Sequence, residues 1–266
     1  FIISDSPFNV DGGDASKNPP IKIGGKNNNK GGGIFIKNTN NENYFQNVFF
    51  ENLSGDLNNI SLNKYIIYGA INIYNSEVKF KNFHIKNINS EDAINLISSN
   101  FLLENGSFDE ISSDAIDVDY GKGSIRNLKI HNVSNDAIDF SESYTNVSNI
   151  YFENIGDKAI SAGENSEIDI DNLKILKSYL GIASKDGSRV NGKNIKISNV
   201  TIPLASYNKK NEYEIAELIV KKINYHEYKK LYLKDKFSKI TIDNKIKKKI
   251  TNNILDIIYD PRHKIY

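Results

Sequence analysis

Between Gly69 and Tyr207 apolar and polar residues alternate in short runs, with no helical spacing. The runs "EDAINLI" at Glu91, "SDAIDVD" at Ser113, "NDAIDFS" at Asn135, "DKAISAG" at Asp157, "YLGIASK" at Tyr179 and "TIPLASY" at Thr201 begin 22 residues apart. "GAINIYN" at Gly69 is an earlier copy one residue out of phase, and "GGIFIKN" near Gly32 extends the series further back. A second series opens on Asn: "NFHIKNI" at Asn82, "NGSFDEI" at Asn105, "NLKIHNV" at Asn127, "NIYFENI" at Asn149, "NLKILKS" at Asn172 and "NIKISNV" at Asn194. Period-two alternation rich in Ile and Val predicts strands.

A unit this short cannot bury its own apolar face, whereas stacked copies can. The pattern therefore predicts an all-β parallel solenoid with about 22-residue coils, roughly nine or ten in number. Ile94, Ile116, Ile138, Ile160, Ile182 and Leu204 should form one internal column. Successive coils lie about 4.8 Å apart, so the leading Asn residues from Asn105 to Asn194 should bond in a structural ladder. One domain is expected: N-terminal coils and cap over 1–68, regular repeats over 69–208, and basic, irregular last coils with a C-terminal cap over 209–266. Lysines at the end, including "KIKKKI", are read as an edge that discourages strand pairing.

Charge narrows the partners. The 266 residues carry a net charge of +1, which argues against a nucleic-acid partner. No apolar run approaches the roughly 20 residues of a bilayer span, so no membrane insertion is expected. Zero Cys excludes thiol nucleophiles and thiolate metal sites. The opening "FIISDSPFNV" has neither an initiator Met nor a signal pattern, so a mature form or a fragment is expected. A monomer that is part of a larger chain is the expected assembly.

Candidate chemistry lies in three columns of the repeat. One reads Asp92, Asp114, Asp136, Lys158, Leu180, Ile202; the next Asn95, Asp117, Asp139, Ser161, Ala183, Ala205; the third Ile97, Asp119, Ser141, Gly163, Lys185, Tyr207. With Ile116 and Val118 inward, Asp117, Asp119 and Asp139 face outward together, and small Ala115 and Ala137 should leave that face open. Asp92, Asp114 and Asp136 are expected to cap their own turns. Asp is disfavoured in strands, and like charges roughly 5 Å apart repel, so something must offset them. A cation, a shared proton, a nearby Lys or Arg, and solvation all remain open. Ca²⁺ on Asp117, Asp119, Asp139 and Glu142 would suit oxygen ligands, with no organic cofactor. A shared proton would make Asp117 and Asp139 an acid–base pair at a spacing suited to retaining glycoside hydrolysis. Lys122, Arg126 and Lys158 are the local cations and candidate bases. Asn95, Tyr120 and Tyr144 could hold a sugar, the tyrosines by stacking.

"SEDAINLISSNF", "SSDAIDVDYGKGSI", "SNDAIDFSES", "IGDKAISAGENSEI" and "LGIASKDGSRV" together resemble the right-handed parallel β-helix family of the pectate-lyase-like superfamily. They are most similar to β-helix modules of bacterial surface proteins, some accompanying CotH-type kinase-like domains. The resemblance implies a right-handed parallel β-helix, an extracellular or cell-surface location and an acidic polysaccharide as possible partner. It also implies Ca²⁺-assisted cleavage of a uronic-acid polymer as one chemistry. The paired-Asp, His-Gly and Arg-x-Lys pattern of polygalacturonase-type members is missing, which keeps open a non-enzymatic structural or adhesive module.

Overall fold

The computed structural model describes residues 2–26, 29–55, 65 and 67–260. Parallel strands coil into a right-handed β-helix of about nine turns at roughly 23-residue spacing, as the repeat predicts. Each regular coil has three sides. Side one carries strands such as Asp92–Ile97 and Asp114–Asp119. Sides two and three are the halves of longer strands such as Asn100–Ile111 and Lys122–Val133. Farther along, the sides join into the long strands Tyr144–Gly163, Glu167–Lys185 and Arg189–Tyr207.

Register makes the predicted internal column real. Ile71, Ile94, Ile116 and Ile138 pair in sequence, as do Ile160, Ile182 and Leu204, and all seven are fully buried. The early copy "GGIFIKN" is also a coil, with Ile34 paired to Ile71. The alanines correct one expectation: Ala115 and Ala137 are core residues with no exposure, so they do not open the outer face.

The corner between sides two and three explains the Asn column. Asn82, Asn105, Asn127, Asn149, Asn172 and Asn194 all have φ between 50° and 57°, a left-handed conformation that Asn tolerates better than other side chains. Asn127, Asn149 and Asn172 each donate to the amide oxygen of the previous rung, at 2.9, 3.0 and 2.8 Å. Asn194 turns to Asp171 instead, at 2.7 Å. A second ladder runs inside the corner between sides one and two. Thr39, Ser76, Gly121, Ser143 and Ser166 donate backbone N–H groups to the hydroxyls of Ser76, Ser99, Ser143, Ser166 and Ser188 in the following coils.

Beyond the regular coils, strand Glu217–His226 continues the stack, and an antiparallel pair, Lys239–Ile242 with Lys245–Ile246, closes the end of the sheet. The chain then runs back along side one. Helix Ile254–Ile258 packs on Tyr179, Leu180, Ala183, Ile202, Ala205 and Tyr207. The outer face of the last coils is apolar because this segment covers it.

Candidate carboxylate site

Upstream of that covered stretch, the outer face of side one is lined with acids. Asn95 pairs in register with Asp117, Asp117 with Asp139, and Asp139 with Ser161. Asp119 pairs with Ser141 in the neighbouring column. Parallel strands put Asp117 and Asp139 about 4.8 Å apart along the backbone. Asp119 is the diagonal neighbour of Asp139, at about 7–8 Å.

Hydrogen bonds fix the inner edge of the site. Asp114 Oδ1 accepts from the Asp136 backbone N–H at 2.8 Å and from Asn135 Nδ2 at 2.6 Å. Asp136 Oδ1 accepts from the Lys158 backbone N–H at 2.9 Å. These acids therefore tie each coil to the next, whereas the sequence suggested caps within one turn. Asn95 Nδ2 donates to Asp92 Oδ2 at 3.1 Å and to Asp117 Oδ2 at 2.8 Å. Its Oδ1 and the Ser161 hydroxyl are buried with no hydrogen-bond partner. The two orphans bracket the Asp117–Asp139 pair, one coil to either side. Buried polar atoms are rarely left so.

Three lysines offset the charge. Lys158 Nζ, on a side chain 4% exposed, lies 2.7 Å from Asp157 Oδ2 and 3.3 Å from each Asp136 oxygen. Lys185 Nζ reaches to 3.6 Å from Asp139 Oδ1. Lys210 Nζ is 2.7 Å from Glu164 Oε1, while Ser141 Oγ donates to Glu164 Oε2 at 2.9 Å. Burial lowers the tendency of Lys158 and Lys185 to carry charge, but Asp136 and Asp157 beside the first and Asp139 beside the second outweigh it, and both pKa values are raised.

Five of these carboxyls bind their protons more tightly than exposed ones do. Burial, then Glu91, pushes Asp92 up to about 7; burial, then Asp136, pushes Asp114 up to about 8. Burial, then Asp92, raises Asp117 well above the usual range. Asp119 rises to about 6 through burial and then Asp139, and burial takes Asp136 to about 6 although Lys158 opposes it. Raised proton affinity and the lysines thus both reduce the repulsion.

The C-terminal segment forms one wall. Tyr259 OH is 2.9 Å from Tyr207 OH, and Tyr179 OH donates to the Ile257 carbonyl at 2.6 Å. Lys158 and Lys209 lie over the Tyr259 ring, 5.6 and 4.8 Å from its centroid.

Of the residues expected at the site, Asp117, Asp119, Asp139, Asn95 and Lys158 share side one. Glu142 is exposed at the corner, with φ 48°. Tyr120 is the corner residue after Asp119, 60% exposed at φ 55°. Tyr144, 53% exposed, stands beside Lys122 at the start of side two. Lys122 and Arg126 do not join the acids: both lie on side two, where Arg126 pairs with Glu104 at 2.8 Å. Among the described residues no group of three or more His, Asp or Glu is arranged to hold a metal ion. Asp157, Glu164, Lys185, Lys210 and Tyr259 belong to the site without having been expected there. For Lys185 a signal existed, since Gly163 is the next member of its own column.

No family model matches the chain, and no curated protein matches it. Solved structures similar to it include the catalytic domain of a GH87 alpha-1,3-glucanase in complex with nigerose, at 12% identity and TM-score 0.43, over 89% of this chain and 57% of that one. The same kind of domain in complex with tetrasaccharides is 11% identical at TM-score 0.43, over 91% and 61%. The Agl-KA catalytic domain is 12% identical at TM-score 0.27, over 85% and 56%. The chain thus spans less than two thirds of each, and at these identities the likeness reaches no individual side chain.

Proposed function

We propose that this protein processes an extracellular polysaccharide on side one, cleaving a glycosidic bond by acid–base hydrolysis. The observation that carries the reading is the column Asn95–Asp117–Asp139–Ser161: two register-paired carboxyls bracketed by two buried, unpartnered polar atoms. Asp117, held protonated by burial, is the acid that gives its proton to the leaving oxygen. Asp139, facing the Lys185 ammonium, is the carboxylate that attacks the anomeric carbon. Carboxyls about 5 Å apart suit retention of configuration. Tyr120 and Tyr144 offer exposed ring faces along the rim for neighbouring sugars.

Hydrolysis fits the side chains better than the elimination that the resemblance implies. A lyase needs a neutral base at the sugar, whereas Lys158 and Lys185 are held as ammonium groups and Lys122 and Arg126 lie on another side. Ca²⁺ would have to displace protons and the Lys185 ion pair.

The test is a panel of neutral glucans, α-1,3-glucan among them, amino-sugar polymers and polyuronates, scored for new reducing ends and for unsaturated uronate. Hydrolysis that falls by about 10²–10⁴-fold in Asp117→Asn and Asp139→Asn supports the reading. Unsaturated products would replace it with a lyase. Binding without products would leave a carbohydrate-binding module, and neither binding nor products would leave a structural one.

A further inference from the structure

Lys185 reaches Asp139 by an unusual path. Register pairs Ser184 with Ala162, so Lys185 stands opposite Gly163 in the same outward column, one coil beyond Asp139's own neighbour Ser161. Its side chain folds back along the helix axis across Gly163 and ends 3.6 Å from Asp139 Oδ1. A Cβ placed on Gly163 would meet Lys185 Cε at 3.0 Å and Cγ and Nζ at 3.6 Å. Gly163 is not in the left-handed region, so no such turn demands a glycine there. What the missing side chain provides is a notch wide enough for the lysine.

The ammonium is buried for this one contact. The Lys185 side chain is 10% exposed, and Asp139 is the carboxylate within ion-pair distance of it among the described residues. Asp136 and Asp157 are engaged by Lys158, and Glu164 by Lys210. Asp139 is also the more open partner, its side chain 26% exposed where Asn95 and Ser161 are sealed. The other charged or titratable groups facing this pair are Asp92, Asp114, Asp117 and Asp119 from the two preceding coils, Asp136 on the same coil as Asp139, the Lys158 ammonium one coil on, and Tyr259 behind the lysine. Each acid raises its neighbours' hold on a proton, and Lys185 is the cation within ion-pair distance of Asp139 among the described residues.

We propose that Lys185, threaded through the notch at Gly163, is a positioning residue that keeps Asp139 the ionised member of the Asp117–Asp139 pair and so leaves the proton on Asp117. The electrostatic part stands by itself; its catalytic meaning rests on the hydrolytic reading above. Lys185 touches no reacting atom and acts through Asp139.

The experiment is a ¹³C-carboxyl NMR titration of the whole chain, with a pH–rate profile on any polymer the panel identifies, for the parent, Lys185→Gln, Lys185→Arg and Gly163→Val. In Lys185→Gln the Asp139 titration midpoint rises by about one to three pH units, and the acidic limb of the rate profile moves with it. Gly163→Val, which keeps the lysine but blocks its path, produces the same rise, and Lys185→Arg restores most of the parental behaviour. Circular dichroism identifies the variants that fold, and the glycine variant decides the matter if Lys185→Gln does not. An Asp139 midpoint unchanged in a folded Lys185→Gln or Gly163→Val chain overturns the proposal, even if the parent cleaves a polymer. A shifted midpoint with no cleavage of any polymer keeps the positioning role and removes the hydrolytic reading.

Discussion

Asp92, Asp114, Asp117, Asp119 and Asp136 share one physical history: each was moved out of water onto a crowded face, and each keeps its proton to a higher pH than an exposed carboxyl. In the unfolded chain these groups titrate near about 3.9. Between that pH and the folded-state values of about 6 to 8 the folded chain binds more protons, so stability falls as pH rises. Their contribution is fully present below about pH 4 and is lost progressively as pH rises through the folded-state values, first for Asp119 and Asp136 at about 6, then for Asp92 at about 7 and Asp114 at about 8. Urea unfolding at pH 5 and pH 8 should show the protein more stable at pH 5 by roughly 2–4 kcal/mol. Asp114→Asn should flatten that difference; a protein equally stable at both pH values would mean that the carboxyls are not buried as described. Melting curves with and without Ca²⁺ read the remaining possibility: a rise in Tm that Asp117→Asn and Asp139→Asn abolish would return the ion to this face.

At the scale of the element, strands alone do not make the coil; its corners do. The Asn corner combines a left-handed backbone with a ladder of exposed amides, and the backbone is the larger part because exposed hydrogen bonds exchange readily with water. Asn149→Ala should therefore cost about 1–2 kcal/mol, while Asn149→Gly, which loses the same ladder bonds but accepts positive φ, should cost less. Denaturant midpoints of the two variants decide this: an equal loss would assign the stabilisation to the ladder instead. The inner Ser ladder at the other corner follows a different logic, since its hydroxyls satisfy buried N–H groups that no strand partner reaches.

For the whole molecule, stacked coils leave an apolar core open at each end, and the chain must close them. Here the C-terminal segment does more than close the end: it turns back along side one, covers the outward residues of the last coils and brings Tyr259 to the edge of the acids. Stability and site are thereby linked. Ile258 has no exposure, so Ile258→Ala should cost about 2–4 kcal/mol and release the segment before the middle coils unfold. Hydrogen exchange should show protection lost first around Leu180–Tyr207, with Ile94 and Ile116 unaffected. Uniform loss of protection would mean that the last coils do not depend on the segment.

Local chemistry was enough to predict the solenoid, because each 22-residue copy repeats the same demand: one apolar column inward and one Asn at a turn. A period of two plus a fixed repeat length determines which residues become neighbours, and that placed Asp117 beside Asp139 and Asn95 from the sequence alone. Tertiary structure decided everything that depends on reach and cover. Lys122 and Arg126 are near the acids in sequence, yet a corner carries them to another side. Lys185 lies 46 residues beyond Asp139 but meets it, because two coils amount to a short distance along the axis and Gly163 leaves the way clear. Tyr259 lies outside the repeat altogether, and its place at the site follows from where the last apolar face needed covering. How tightly Asp114 and Asp117 hold a proton likewise follows first from burial, a property of the folded chain that no column of letters records.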